Sequence, residues 1–284
     1  MSRREEILTR ARALPQIAAP VMRIMDYMSK PDADMNVLAS LIEYDPGLTV
    51  SVLRMAKSSF FGCGTSVNSV RDALLRLGTR RLVHLVIASG VAPNAREPVG
   101  GYGLERGELL RFSIAVGVGA EILAAQLNIK PPDHTFTAGL LSSIGKVALG
   151  KYLEIDGYPI QALAVREGIS FAQAEQRLLG IDHCEVGAQL LAWWELPEQI
   201  VTCVRWHLDP CSAPTQDLAV DLVHAGMVIA SMAGIGQGVD GLFYDVCQES
   251  FERLGVTPAA LSGTLEKLVG SIAEIEEILG QVRE

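Results

Sequence analysis

Ser142 and Ser143 stand side by side in the segment Ala138-Gly139-Leu140-Leu141-Ser142-Ser143-Ile144-Gly145-Lys146, and His183 and His207 follow downstream. These are the side chains whose types could do chemistry. A serine nucleophile needs an adjacent base and a third group to orient that base, commonly on a Gly-x-Ser-x-Gly elbow. Neither serine has such a setting, so both read as small residues at a helix packing contact. Two imidazoles fall short of a catalytic metal centre, which takes about three protein ligands. His183 and His207 therefore read as hydrogen-bonded histidines near helix ends. Lys146 could meet a phosphate or carboxylate, or serve as a solvated cation at a helix end. His84, His134 and His224 are remote in sequence and read as ordinary polar or half-buried residues. No Gly-x4-Gly-Lys-Ser/Thr loop is present to cradle a nucleotide phosphate.

The 284 residues are 49% hydrophobic with a mean hydropathy of +0.26, enough for a substantial core. A net charge of −9 would repel a phosphate backbone, and the densest basic cluster, Arg76, Arg80 and Arg81, reads as a solvated helix face. No nucleic-acid partner is expected. The five cysteines, Cys63, Cys184, Cys203, Cys211 and Cys247, form an odd set without a Cys-x-x-Cys pair. They fit neither a disulfide framework nor a structural zinc site, and a reducing cytoplasm is the expected setting. The first residues lead into no apolar signal core. The uncharged run from Leu222 to Val239 is broken by Gly234 and Gly236 after about a dozen residues, too short for a membrane span.

Helical spacing of apolar residues dominates, with legible starts and stops. Asp34 can cap a helix from about Met35 to Tyr44, and Asp45-Pro46 opens the next. A loop over Ser58 to Asn68 precedes Ser69-x-x-Asp72, which opens a helix that Gly78 closes; Thr79 caps another that stops before Pro93. Residues 94–104 are polar and rich in glycine and proline, and read as a linker between two helical lobes, residues 1–93 and 105–284. A long apolar helix spans about Glu105 to Leu127, and Asp133 can begin the helix that bears the serine pair. Ser170-x-x-Gln173 and Asp182-x-x-Glu185 are capping boxes; Pro197 and Thr257-Pro258 open later helices.

In order along the chain come Leu14-Pro15, Ile42-Glu43-Tyr44-Asp45-Pro46-Gly47-Leu48-Thr49, Arg54-Met55-Ala56-Lys57-Ser58-Ser59-Phe60-Phe61-Gly62, Val67-Asn68-Ser69-Val70, Ala73-Leu74, Leu77-Gly78, the serine-pair segment, Asp182-His183-x-x-Val186-Gly187 and Trp194-x-Leu196-Pro197. Together they resemble the HDOD family, bacterial relatives of the HD phosphohydrolases, over roughly residues 14 to 209. Lys57 departs from the asparagine usual in the family. The resemblance implies an all-α fold, an HD-like helical bundle preceded by an N-terminal helical lobe.

It also implies where metal ligands would fall in a catalytic HD protein: the upstream histidine near Phe112, the His-Asp pair on Ser142 and Ser143, and the final aspartate near Met227. None is a ligand of the required kind. His183 and His207 match positions where related cyclic-dinucleotide phosphodiesterases place further metal histidines. Phe112, Ser142, Ser143, Lys146, His183, His207 and Met227 thus outline a degenerate pocket, with no catalytic residue, metal or cofactor expected. The reading is a pseudoenzyme: a cytoplasmic signal-transduction and regulatory protein working through protein partners, without an attached receiver or cyclase domain. Self-association and a nucleotide ligand are further partners it allows. Its rivals are a residual metal-dependent phosphohydrolase or cyclic-dinucleotide phosphodiesterase built on His183, His207 and Asp182, and a non-hydrolysing nucleotide sensor using Lys146 and His207.

Overall fold

The computed structural model describes residues 2–28, 30, 32–56, 67–153, 158–241 and 244–281. Cys63 and the motif from Lys57 to Gly62, with most of the expected loop, lie outside the described residues. Among those described, β pairing is confined to an isolated bridge between Val99 and Leu104, and the architecture is all-α.

The early helices are α1 (Arg3–Arg12), α2 (Ala19–Met28), α3 (Met35–Glu43), α4 (Pro46–Ala56) and α5 (Val70–Ala95). Local chemistry sets their starts. Ser2 and Glu5 exchange the two bonds of a capping box, Asp34 accepts the Asn36 and Val37 N–H groups, and Asp45 accepts that of Leu48. Gly78 breaks the course of α5 at φ 74°, which a side chain would resist. The helix runs on to Ala95 rather than stopping before Pro93; so close to its end, the proline's missing N–H costs little of the ladder.

The later helices are α6 (Glu108–Gln126), α7 (Thr135–Leu141), α8 (Gly145–Leu153), α9 (Tyr158–Glu167), α10 (Phe171–Leu179), α11 (His183–Trp193), α12 (Glu198–Trp206), α13 (Leu218–Met232), α14 (Gln248–Leu254) and α15 (Pro258–Gln281). Ser170 and Gln173 complete their capping box. Asp182 caps α11, but Glu185 turns away from the box to pair with Arg4 at 2.5 Å.

Two compact units result. One comprises Gln16–Pro93 with Ser271–Glu284; its core includes Val21, Ile24, Leu38, Ile42, Val52 and Leu82. The other comprises Met1–Pro15 with Asn94–Gly270. The first fifteen residues do not join the N-terminal lobe expected from sequence. They belong instead with the helices after Asn94, because α1 packs on α8 and α11 and its arginines reach Leu178, Gly180 and Glu185. Residues 94–104 are likewise no bare linker: the Val99–Leu104 bridge closes a 3₁₀ turn, Gly100–Tyr102, that buries Tyr102 completely.

Within this second unit α13 packs against α6, and α6 against α7. α13 is buried along most of its length and spans fifteen residues; no helix among the described residues is long and apolar enough to cross a membrane. Glycines set the tightest crossings. A Cβ on Gly145 would lie 1.9 Å from the His183 carbonyl oxygen, so α8 rests backbone to backbone on α11. A Cβ on Gly139 would lie 2.7 Å from Gly117 Cα, where α7 meets α6. The serine pair occupies the junction between α7 and α8 rather than a helix interior, and the Ser142 hydroxyl donates to the Gly139 carbonyl at 2.8 Å.

Candidate functional site: a caged lysine

The Gly145 contact brings the first turn of α8 into the middle of the second unit, and Lys146 follows at once. Its Nζ lies 2.6 Å from Asp240 Oδ2 and donates to the Tyr244 hydroxyl at 2.6 Å. Three rings enclose it: Phe112 of α6, Tyr102 of the 3₁₀ turn and Tyr244 beyond α13, with centroids 5.3, 5.4 and 5.4 Å from Nζ. The Phe112 and Tyr244 rings stack. Tyr244 donates to Asp240, and the Val239 N–H donates to the Tyr102 carbonyl at 2.8 Å, knitting the 3₁₀ turn to the segment after α13.

Burial alone would push Asp240 up, but Lys146, assisted by His183, holds its carboxyl below the usual range. A buried charge persists only when paired, and here ammonium and carboxylate satisfy each other at side-chain exposures of 3% and 1%.

A second chain of contacts adjoins the first. Tyr102 donates its hydroxyl to Glu175 of α10, and Glu175 Oε2 accepts both the His183 N–H at 2.9 Å and its Nδ1–H at 2.7 Å. Burial would push His183 down; Glu175 reverses this and holds the imidazole well above its ordinary value. His183 Nε2 and Asp240 Oδ1 are buried without a hydrogen-bond partner. Burial, then the neighbouring carboxylates, pushes the hydroxyls of Tyr102 and Tyr244 well up, so both remain donors.

Of the seven residues singled out from sequence, Phe112, Lys146 and His183 come together around this network. His207 is buried and bonded through Nδ1 to the Val204 carbonyl at 2.8 Å; burial, the main cause, pushes it down to about 3, so it is neutral. Ser142, Ser143 and Met227 are buried but stand apart: Ser142 bonds its own helix, and Met227 accepts only a weak contact from Ser231. Nor is Lys146 a solvated cation or an open anion site, because it is 2% exposed with its counter-ion in place. His224 is more than an ordinary half-buried residue: Nδ1 donates to the His207 carbonyl at 2.8 Å and Nε2 accepts the Cys247 N–H at 3.0 Å.

Sequence reasoning missed Tyr102, Glu175, Asp240 and Tyr244. The available signal was Lys146 itself: an ammonium in an apolar segment requires a carboxylate. The cysteines also depart from the expectation that none is paired. Cys211 and Cys247, 36 residues apart, are joined as a disulfide, while Cys184 and Cys203 are buried thiols.

A divalent metal does not fit the caged position. An ammonium already neutralises Asp240 there, and among the described residues no group of three or more His, Cys, Asp or Glu side chains could hold a metal. Beside the cage lies a cavity of about 390 Å³, lined in part by Asp182, Cys184, Arg205, Trp206, Tyr244 and Cys247. The Arg205 guanidinium sits 4.5 Å from the Trp206 ring centroid and 3.6 Å from Asp182.

Comparison with known proteins agrees with this architecture. An HDOD domain protein from Geobacter sulfurreducens is 27% identical, with 95% of this chain and 96% of that one covered and a TM-score of 0.74. A protein of Shewanella amazonensis SB2B, provisionally named a phosphohydrolase, is 25% identical over 97% of both chains, with a TM-score of 0.71. One from Marinobacter aquaeolei VT8, provisionally named a signal transduction protein, shares the fold at 22% identity and a TM-score of 0.74, over 96% of this chain and 60% of that one. An uncharacterized protein of Treponema pallidum (strain Nichols) is 23% identical over 238 residues, 78% of this chain but 43% of that protein, so the chain spans less than half the length of this relative. The HDOD domain pattern matches residues 14–210, more than half of the sequence, and the chain belongs to the HDOD domain family.

Proposed function

We propose that this protein is a non-catalytic regulatory module of a signalling pathway that acts in the cytoplasm through contacts with protein partners. The relatives' provisional names point both to signal transduction and to phosphohydrolysis, so the choice rests on the site. The observation that carries it is the caged ammonium of Lys146, paired with Asp240 and walled by three aromatic rings. A phosphohydrolase of this lineage needs a metal-activated water, and Lys146 offers neither a ligand nor an exposed charge. The Gln16–Pro93 unit supplies a surface for a partner: Val37 and Tyr44, seven residues apart on one face of α3 and its C-cap, are exposed at 44% and 84%.

The test is metal analysis of the purified chain after incubation with Mn²⁺, Fe²⁺ or Mg²⁺, with assays against bis(p-nitrophenyl) phosphate and cyclic dinucleotides. Substoichiometric metal and no turnover above buffer are expected. Stoichiometric metal with turnover that His183→Ala abolishes would establish the phosphodiesterase reading instead.

A second reading, a ligand sensor, is favoured by the cavity beside the cage. Its guanidinium and aromatic ring suit a small planar anion better than Lys146 and His207 do, which lie outside the lining. A thermal-shift screen of nucleotides decides it. Ligand at 100 times its Kd adds about 2.7 kcal/mol, and Arg205→Ala should remove that gain.

A further inference from the structure

The Cys211–Cys247 pair holds the accessible cysteine sulfur among the described residues. Cys211 is exposed in the 3₁₀ turn Pro210–Ser212, and Cys247 is half-buried as the residue capping α14. The other two described cysteines are withdrawn: Cys184 and Cys203 are buried, and burial pushes both thiols up, away from the reactive thiolate.

The position of the pair relates it to the cage. Cys247 lines the cavity and gives its N–H to His224, which in turn holds the His207 carbonyl. Three residues before it, Tyr244 reaches inward to Lys146 and Asp240 while also lining the same cavity. The disulfide therefore fastens the stretch Tyr244–Cys247 to the turn that follows α12. Without it, Cys247 keeps its N–H bond to His224 and its carbonyl's bonds from Ser250 and Phe251 of α14, none of which reaches the turn after α12, and the exposed residues Asp245 and Val246 contribute little burial.

We propose that Cys211–Cys247 is a thiol–disulfide exchange site, at which a dithiol reductant unfastens the stretch that plugs the lysine cage and so opens the adjoining cavity. One thiolate of the reductant attacks the exposed Cys211 Sγ and breaks the S–S bond, with the Cys247 thiolate as leaving group. The second thiolate attacks its own sulfur partner in the mixed disulfide and releases Cys211. The reductant's two thiols supply two electrons and two protons; it becomes a disulfide and the protein a dithiol. In a reducing compartment such a bond is transient, as a regulatory one must be.

The experiment uses the full chain, oxidised with oxidised glutathione or reduced with dithiothreitol. Peptide mapping of the alkylated, unreduced protein should find a linked Cys211/Cys247 peptide that dithiothreitol converts into two alkylated peptides. Amide hydrogen exchange should then rise at least tenfold at Tyr244–Cys247 on reduction, with exchange in the cores of α6 and α13 unchanged. Cys211→Ser should reproduce the faster exchange and abolish the response to dithiothreitol. Free thiols at both positions after oxidation, any other pairing, unchanged exchange at Tyr244–Cys247, or an equal rise in α6 and α13 would each overturn the proposal.

Discussion

Replacing Lys146 by methionine keeps most of the side-chain volume and removes the charge at the centre of the cage. Asp240, 1% exposed and bonded to Lys146 at 2.6 Å, would be left with only the Tyr244 hydroxyl. Removing one partner of a buried ion pair costs about 3–5 kcal/mol. Three ring contacts near 5.4 Å disappear as well, and a desolvated cation over a ring contributes up to about 2 kcal/mol. The loss should therefore lie near the top of that range, about 4–5 kcal/mol, lowering Tm by roughly 10–15 °C in a domain of this size.

Two controls separate charge from packing. In Lys146→Met/Asp240→Asn no charge is stranded, so the double variant should recover to within about 2 kcal/mol of the parent. The single variant should also depend on pH in an inverted way. The parent's Asp240 is held below its ordinary 3.8, so its contribution is present above that value and lost as pH falls through the lower folded value. Without Lys146, burial raises Asp240, and protonation relieves the stranded charge. The deficit of Lys146→Met should then shrink by at least half between pH 8 and pH 5. Urea unfolding followed by circular dichroism at both pH values measures it. A deficit below 1 kcal/mol, or a double variant as weak as the single one, would refute the caged-charge account.

Other outcomes follow from single contacts. Gly145→Ala puts a methyl group 1.9 Å from the His183 carbonyl and should cost more than about 3 kcal/mol or prevent folding, whereas Gly270→Ala, with open space around its Cβ position, should be neutral or stabilising by up to about 1 kcal/mol. Both can be read from thermal melts of soluble protein. Tyr102→Phe deprives Glu175 of a buried donor and should cost about 1–3 kcal/mol in urea unfolding. His207, pushed from 6.5 down to about 3, makes the folded state bind fewer protons than the unfolded one between those values. Its stabilisation is present above pH 6.5 and lost as pH falls toward 3, a difference of about 2 kcal/mol between pH 7 and pH 5. That difference should vanish from the pH dependence of His207→Gln measured by urea unfolding.

The helices were readable because their ends are written in local chemistry. Asp34, Ser170 and Asp182 act within three residues of themselves, as caps do. The glycines of the serine-pair segment were visible but not what they serve, because a crossing distance depends on the partner helix. The cage was only half legible for the same reason. Phe112, Lys146 and His183 could be proposed from their place in a motif, but Asp240 lies 94 positions from Lys146 and Tyr102 sits in a stretch rich in glycine. No local rule joins residues so far apart; only the requirement that a buried ammonium be paired reaches across the gap. Ser142 and Met227 were placed by their correspondence to ligands, and their contacts are local ones, to the Gly139 carbonyl and the Ser231 hydroxyl.

The membership of α1 in the second unit bears on the order in which the molecule can assemble. The helix is made before the surfaces it covers, α8 and α11, which follow roughly 130 or more residues later. At about 5–20 residues per second, synthesis leaves it waiting for about 7–30 s. Only Ile7 and Ala11 of its ten residues are buried in the end, and its docking rests largely on Arg3, Arg4, Arg10 and Arg12, which reach carbonyls, Glu185, Tyr152 and Trp193. A segment so polar can wait in water without attracting the wrong neighbour, and it can seat last, closing the unit over helices made after it.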